Sequence, residues 1–506
     1  MLHAMDPSAL DTFRAFRNSL YDCLHRRADA LFELTDAILT AEAVPSPVHL
    51  SLQPSHRRGW GSLYNALSHG RIDAQTLRRL LAHYPLAGSE TTTPVYAVDV
   101  SVWDRCDAEC SPERGFYYHP SRHSAGQPIV AGWAYQFIAQ LNFVRESWVA
   151  PMDVERLRPA QEANEVAAEQ VKAFVRLPDE EEEEQERAAP LFVFDAGYDP
   201  VKLQQGLEGC ACQILVRLRA GRRFYADPSL AGPPAHTGRP RRHGPKMKCK
   251  DPSTWPEPSA EYACEDSGYG AVRVRAWAKM HPKVCAHEGR GSRGPLPIVV
   301  GTLVLVEVER LPRGERRRKP RVLWLWWHGL EGEAPNLKLI WRAYVRRFDL
   351  EHTFRFLKQA LVWSTPRVRH PEQADRWTWL VLAAFTQLRL ARAHVADLRL
   401  PWERHYDTAR LTPVRVPSRS FGAFGRARHA HEAAETLWAL SGTAQRAPLR
   451  TSQALSGRQE GRLNPHDDSG RGSFARGFIS SPKLSYLERI SKPTFGYLRL
   501  TSAEPN

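Results

Sequence analysis

The stretch AYVRRFDLEHTFRFLKQAL (residues 343–361) decides the fold of this chain, because it combines a helical apolar repeat with a line of charged side chains. Leu350, Phe354, Leu357 and Leu361 recur at the i, i+4, i+7, i+11 spacing of a buried helical face. Neither glycine nor proline interrupts residues 336–365. The pattern therefore predicts one continuous helix here.

The polar residues of this helix also follow a line. At roughly 100° per residue, five of them fall within about 40° of one line along the helix surface; they are Tyr344, Arg347, Glu351, Arg355 and Lys358. In most helices such a line is a solvated face with i,i+4 ion pairs. The alternative is a binding site, and the rest of the chain distinguishes the two interpretations.

Composition and charge favour a globular protein with a polyanionic partner. The 506 residues are 42% hydrophobic, enough for a large core and about two or three domains. The 70 Lys and Arg exceed the 56 Asp and Glu, which gives a net charge of +14 and indicates nucleic acid as the first candidate partner. The longest apolar run, residues 379–385, is far shorter than the ~20 residues that span a bilayer. With no export pattern at the N-terminus, we expect a cytoplasmic protein without a membrane contact.

The hydrophobic pattern changes from helical to strand-like near residue 90. Residues 1–90 predict a helical N-terminal domain in which Asp73 caps an amphipathic helix. Its basic segment 54–70 is either a DNA contact or a soluble surface. A helix is predicted at 160–177 among strands, so this region predicts an α/β layer with a mixed sheet. The predicted strands lie at 94–103, 128–141, 147–157, 190–200 and 212–221.

Residues 221–295 differ from the segments around them. They are rich in Gly, Pro and Arg and show too little apolar periodicity to belong to the sheet, so we interpret them as a β-rich insertion. Trp255 follows the basic run 238–250 and is either a base-stacking residue or a structural tryptophan. Strands are predicted again at 296–309 and 321–328.

The C-terminal part of the chain divides in two. Residues 366–440 predict a helical region whose main helix lies near 373–397. Residues 441–506 mix Ser, Gly, Arg and Pro without a period, which predicts a largely disordered tail.

Two predicted strands carry an aspartate after the same kind of apolar run. Asp99 follows Pro-Val-Tyr-Ala-Val and Asp195 follows Pro-Leu-Phe-Val-Phe. Buried carboxylates are costly unless they are paired, capped or bound to a cation, and two on one sheet repel each other. With Glu351 from the helix, three carboxylates could bind Mg²⁺, which prefers hard oxygen ligands. The alternative for each aspartate is a strand-end residue that binds backbone N–H groups.

The spacing Tyr344-x2-Arg347-x3-Glu351-x6-Lys358 resembles the Tyr-Arg-Glu-Lys signature of the bacterial DDE transposases of the insertion-sequence IS-four superfamily. The resemblance covers roughly residues 90–395. It implies a ribonuclease-H-like catalytic core over 91–365, with a β-rich insertion at about 221–295 between the second aspartate and the glutamate.

The resemblance also implies a function. The protein would be a transposase that cuts and joins the ends of an insertion sequence by two-metal phosphoryl transfer, using two Mg²⁺ ions for which Mn²⁺ can substitute. Asp99, Asp195 and Glu351 would be the catalytic metal ligands. Its partner would be double-stranded DNA at the element ends and the target, bound by a dimer at the bacterial nucleoid.

The same resemblance assigns roles along the helix. Arg347 and Lys358 would hold DNA phosphate, and Tyr344 would position the strand. Arg355 lies on the same line but outside the signature, so it is a candidate phosphate contact only. Two other functions stay open: a DDE-type nuclease that cuts without inserting, and a domesticated or inactive DNA-binding relative.

Overall fold

A computed structural model describes residues 7–41, 46–86, 92–118, 128–144, 146, 148–177, 188–231, 241–284, 296–312, 322–392, 411–413 and 416. Its helices are α1 (Pro7–Asp22), α2 (Ala28–Thr40), α3 (Trp60–His69), α4 (Ala74–His83), α5 (Ala163–Val175), α6 (Pro200–Gly206), α7 (Leu337–Arg346), α8 (Phe348–Gln359) and α9 (Pro371–Ala391). The predicted tail at 441–506 and nearly all of the predicted helical region after residue 392 lie outside the described residues.

The strands follow the predicted order with several additions. They are β1 (Leu24–Arg26), β2 (Arg71–Ile72), β3 (Val95–Asp104), β4 (Gly115–Tyr118), β5 (Ile129–Gln140), β6 (Ala150–Leu157), β7 (Leu191–Phe194), β8 (Gln213–Leu218), β9 (Arg223–Tyr225), β10 (Lys246–Lys248), β11 (Ala260–Asp266), β12 (Gly270–Pro282), β13 (Gly301–Val308) and β14 (Leu323–His328).

The centre of the fold is a mixed sheet in the order β6-β5-β3-β7-β8. Strands β3, β5 and β6 form an antiparallel meander, whereas β3, β7 and β8 run parallel. Helix α5 connects β6 to β7 and helix α6 connects β7 to β8, as parallel neighbours require a crossover. This mixed α/β arrangement is consistent with a ribonuclease-H-like DDE fold.

The prediction that residues 221–295 lie outside the sheet is wrong. Strands β9 to β12 extend the same sheet, because β12 pairs with β13, β13 with β14, and β14 with β8. Strand β12 alternates buried Val272 and Val274 with exposed Arg273. The Gly- and Pro-rich flanks hid this alternation when composition was averaged over the whole segment.

Each face of the sheet has its own apolar core. Side chains such as Ala97, Phe137 and Val193 pack beneath α7, α8, α9 and the N-terminal helices. Val98 and Phe194 belong to the opposite core, together with residues of α5, α6 and β12. The protein therefore has helices on both faces of one sheet, and α7 and α8 cover only one of them.

The N-terminal helices share a core with α9. Helices α1, α2 and α3 all contact α9. Arg17 in α1 donates to Gln387 of α9 (2.6 Å) and also pairs with Asp36 of α2 (2.6 Å). Asp73 accepts hydrogen bonds from the N–H groups of Gln75 and Thr76, so its predicted role as the cap of α4 is confirmed. The domain boundary at residue 90 stays a prediction.

The helix predicted over 336–365 is two helices. Helix α7 ends at Arg346 and α8 begins at Phe348, so the prediction of one continuous helix is wrong at Arg347. Arg347 keeps right-handed helical angles (φ −53°, ψ −30°), and the direction of the apolar face continues across it. Its side chain points into the protein, where the two central strands carry their aspartates.

Candidate active site

Two carboxylates reach the site from adjacent parallel strands. Asp99 is the fifth residue of β3, and Asp195 directly follows β7. The parallel register pairs Val98 of β3 with Phe194 of β7. Asp99 directly follows Val98 and Asp195 directly follows Phe194, so the two aspartates lie side by side. Parallel pairing thus brings together two acids that are far apart in the sequence.

The third carboxylate comes from α8 and meets the others around Arg347. The Nη1 atom of Arg347 donates to Oδ2 of Asp99 (2.6 Å), and its Nη2 atom donates to Oε1 of Glu351 (3.1 Å). The same Nη2 lies 3.7 Å from Oδ1 of Asp195. The structure therefore brings together the three acids singled out in the sequence, with one guanidinium between them.

Arg347 is almost entirely inside the protein, and its side chain is 2% exposed. The rings of Tyr344 and Phe348 lie 5.6 and 5.3 Å from its guanidinium carbon, within cation–π range. Burial alone would lower the pKa of Arg347, but the neighbouring carboxylates raise it well above its usual range. The guanidinium is thus a fixed positive charge that offsets repulsion among the acids.

The three carboxyl groups differ in acidity. Burial raises the pKa of Asp99 to about 6, and the charges of Asp195 and Glu351 add to this effect while Arg347 opposes it. Burial also raises the pKa of Glu351, against the attraction of Arg347. Burial disfavours ionised Asp195 as well, but Arg347, the N–H of Ala196 and Arg217 together lower its pKa. Asp195 is therefore the most readily ionised of the three.

Tyr344 and Arg217 complete the surroundings of Asp195. The hydroxyl of Tyr344 donates to Oδ1 of Asp195 (3.4 Å), and burial raises the pKa of Tyr344 to about 12. Nη1 of Arg217, on β8, also contacts this oxygen at 3.5 Å. Sequence reasoning missed Arg217, although a charged residue inside the apolar run Ile-Leu-Val-Arg-Leu was a signal of a site-facing position.

The remaining candidates lie away from this ion-pair cluster. Arg355 is exposed on α8, and the Nζ of Lys358 lies 5.5 Å from the centre of the Trp363 ring. Trp255 packs against the opposite face of the sheet, where its ring meets Trp277 and Trp324 edge-on. Its contacts are those of a structural tryptophan, and base stacking by Trp255 stays a prediction.

The donor set can be compared with the needs of a metal ion. Asp99, Asp195 and Glu351 offer carboxylate oxygens, which are the ligands that Mg²⁺ prefers. Within the part of the chain that the structure describes, no group of three or more His, Cys, Asp or Glu side chains is spaced to hold a metal ion. The three side chains thus offer the kind of ligand that Mg²⁺ prefers. In the structure, the positive charge among them is that of Arg347.

Comparison with known families agrees with this site. A family model described as DDE superfamily endonuclease matches residues 19–283, just over half of the chain. The chain therefore belongs to the DDE superfamily endonucleases. The matched region contains Asp99 and Asp195 and ends before Glu351. No curated protein matches the sequence.

Membership in this family implies DNA as the substrate and a divalent metal ion as the usual cofactor. The mixed sheet and the two aspartates on its central parallel strands agree with that membership. Among the helices that the structure describes, none is both long and apolar enough to cross a membrane.

Proposed function

We propose that this protein is a DNA transposase, similar to the IS-four superfamily, that cuts and joins the ends of an insertion sequence. The observation that carries the proposal is the convergence of Asp99, Asp195 and Glu351 on one guanidinium. The Tyr-Arg-Glu-Lys spacing supports it, because Tyr344 contacts Asp195 and Arg347 contacts Asp99 and Glu351. The catalytic centre would be these three acids.

Asp99, Asp195 and Glu351 would hold two divalent ions, Mg²⁺ or Mn²⁺. Bound there, such ions supply activation of a water or 3′-hydroxyl and stabilisation of the leaving 3′-oxygen. Asp195, with its lowered pKa, provides a permanent negative charge at neutral pH. Burial raises the pKa of Asp99 to about 6 and also raises the pKa of Glu351, so these two acids compete with protons for a cation more than Asp195 does.

The other residues of the line would act on the DNA strand. Arg347 would bind a phosphate oxygen once the acids are neutralised, because a guanidinium matches phosphate geometry as well as carboxylate geometry. Lys358 would hold a second phosphate, and Arg355 is a further candidate from the exposed side of α8. Tyr344 keeps its proton at neutral pH and can therefore donate a hydrogen bond to the strand.

Transposition requires that two DNA ends be processed together. We therefore propose a dimer in the DNA complex, acting in the cytoplasm at the bacterial nucleoid. The net charge of +14 supports a partner with a dense negative charge.

One observation favours a second candidate, an inactive DNA-binding relative. The guanidinium of Arg347 stands among the three acids and forms ion pairs with them, which is a position that a cation would otherwise favour. A DDE-type nuclease that cuts without joining is the third candidate and would use the same residues as the transposase.

The test is Asp195→Asn, compared with Asp11→Asn at an exposed aspartate of α1. We expect Asp195→Asn to abolish Mg²⁺-dependent strand cleavage while gel-shift binding of DNA changes little, because the change removes one charge and leaves the basic surface intact. Asp11→Asn should behave like the wild type in both assays.

The same assay separates the candidates. Products in which a 3′ end is joined to a second DNA molecule indicate a transposase, and cleavage alone indicates a nuclease. DNA binding without cleavage by the wild type would favour the inactive relative. Cleavage retained by Asp195→Asn would show that Asp195 is a strand-end residue and would overturn the catalytic assignment.

A further inference from the structure

A polar cavity opens away from the three acids. It has a volume of about 940 Å³ and lies between the antiparallel β1–β2 pair, the end of α3, strand β6 and helix α9. Asp99, Asp195, Glu351 and Arg347 are absent from its lining. We call it the arginine cleft, because arginine is its most frequent charged residue.

The arginine cleft carries a net positive charge. Six arginines line it together with two carboxylates, Glu155 and Asp375; the arginines are Arg26, Arg71, Arg78, Arg156, Arg158 and Arg376. Three of them pair with acids: Arg78 with Asp153, Arg156 with Glu113 and Asp375, and Arg158 with Glu113. A concave surface with this excess of one charge concentrates counter-ions of the opposite sign. The cleft is thus prepared for an anionic ligand.

Some of these arginines are held in place by internal partners. Arg156 donates to Asp375 (2.9 Å), which also accepts from the hydroxyl of Tyr135 (2.8 Å). Arg376 donates to the carbonyl of Leu67 in α3 (2.6 Å). These contacts fix the inner wall of the cleft, whereas Arg26, Arg71 and Arg158 are exposed and can reach a ligand.

Arg26 and Arg71 form the outer rim. They are exposed and lie directly opposite each other in the β1–β2 pair. Within the described residues, neither has an acidic partner. Like charges at facing positions destabilise a strand pair, so this placement has a cost that an anion between or above them would remove.

We propose that the arginine cleft binds the sugar–phosphate backbone of duplex DNA outside the segment that reaches the three acids. The inference rests on DNA being the substrate, as in the function proposed above. Guanidinium groups bind phosphate oxygens in pairs, and backbone contacts fix the position of a duplex without reading its sequence. The cleft would thus position the DNA, and the acids would act on the strand.

The test is the double variant Arg26→Gln/Arg71→Gln in the full chain, measured by fluorescence anisotropy with labelled duplex DNA in EDTA. Each lost phosphate contact reduces the slope of log affinity against log salt by about one unit, so we expect a loss of about two units. Two unrelated duplexes should show the same loss, because the contact is to the backbone.

Three controls make this result specific. Arg14→Gln/Arg367→Gln removes the same charge at exposed positions outside the cleft and should keep the wild-type slope. Arg158→Gln tests the cleft from the residue that follows β6, independently of the β1–β2 pair, and should reduce the slope by about one unit. Arg26→Lys/Arg71→Lys keeps both charges and should retain the slope.

The outcomes distinguish this proposal from the catalytic one. Wild-type slopes for both Arg26→Gln/Arg71→Gln and Arg158→Gln would overturn the cleft proposal while leaving the cleavage result of Asp195→Asn untouched. An equal loss in the Arg14/Arg367 control would also overturn it, because net charge alone would then explain the effect. Reduced slopes for the cleft variants, combined with unchanged catalysis by Asp195→Asn, would support the cleft and reject the catalytic assignment.

Discussion

Arg347 is the buried partner that three neighbouring acids share, although the side chains of Glu351 and Asp195 reach the surface. A buried charge is tolerated when it is paired, and removal of one partner from a buried pair is strongly destabilising because the other charge is left alone. In this site one arginine serves three carboxylates at once. The stability of the region should therefore depend on this single residue when metal is absent.

We expect Arg347→Met to lower the free energy of unfolding in EDTA by about 3–5 kcal/mol, the range for breaking a buried ion pair. Added Mg²⁺ should restore more stability to this variant than to the wild type, because Arg217 alone would then compensate the acids and a bound cation would add more. Denaturant unfolding with and without Mg²⁺ measures both effects. Lys358→Met is the matched control, because Lys358 belongs to the same line of polar residues. An equal loss of stability in Lys358→Met, or no response of Arg347→Met to Mg²⁺, would contradict this explanation.

Residue spacing predicted on which side of the helix the polar side chains lie, but it did not predict how deeply each one is buried. The 3.6-residue period places Tyr344, Arg347 and Glu351 on one side of the helix, and the structure agrees. It could not show that Arg347 is buried, because burial depends on where β3 and β7 lie relative to α7 and α8. Arg217 was missed for the same reason, since its role depends on the pairing of β8 with β7.

Among the elements, strongly periodic segments were predicted best. The positions of β3, β5, β6 and α5 are confirmed, because long apolar runs and clear amphipathic patterns are local properties. Strand β12 was missed inside a segment whose average composition resembles a loop. The break between α7 and α8 carries no Gly or Pro signal, and it occurs where Arg347 reaches towards the acids.

The contact between α4 and β6 depends on one buried ion pair. Nε of Arg78 donates to Oδ1 of Asp153 at 2.6 Å, and Asp153 also accepts from Gln170 of α5 (3.0 Å). Burial raises the pKa of Asp153, and Arg78 opposes this shift. One aspartate thus connects the N-terminal helices, the sheet and a crossover helix.

We expect Arg78→Met to destabilise the protein by about 3 kcal/mol at pH 7–8. Without Arg78 the pKa of Asp153 rises further. The loss of stability is therefore largest above that pKa, and it becomes smaller as the pH is lowered and Asp153 takes up a proton. Unfolding curves at pH 5 and pH 8 measure the difference. Arg79→Met, at the exposed neighbouring residue, is the control and should change stability by less than about 0.5 kcal/mol. A loss of stability in Arg78→Met that does not depend on pH would contradict the ion-pair explanation.

For the whole molecule, the shared core of the N-terminal helices and α9 argues against an independent domain before residue 90. Residues from α1 to α4 and from α9 belong to one apolar cluster. The sequence could not reveal this, because about 300 residues separate the partners, as the contact of Leu67 with Arg376 at a separation of 309 illustrates.

We therefore expect the described helices and sheet to unfold in one transition. Far-ultraviolet circular dichroism and tryptophan fluorescence should give coincident denaturation curves, which is the standard test for a single cooperative unit. A fragment that begins at residue 92 should lose cooperative unfolding, since α9 would expose the surface that α1 to α3 cover. Two separated transitions, or a stable fragment, would restore the predicted boundary.

The distance along the chain between Asp99 and Arg347, 248 residues, also determines when the site can exist during protein synthesis. The two aspartates leave the ribosome before Arg347 has been translated. A chain that stops before residue 347 lacks both Arg347 and Glu351, so it cannot form the ion-pair cluster. Contacts of such long range form late and slowly. We therefore expect the cluster to assemble only after almost the whole of the described sheet has been synthesised.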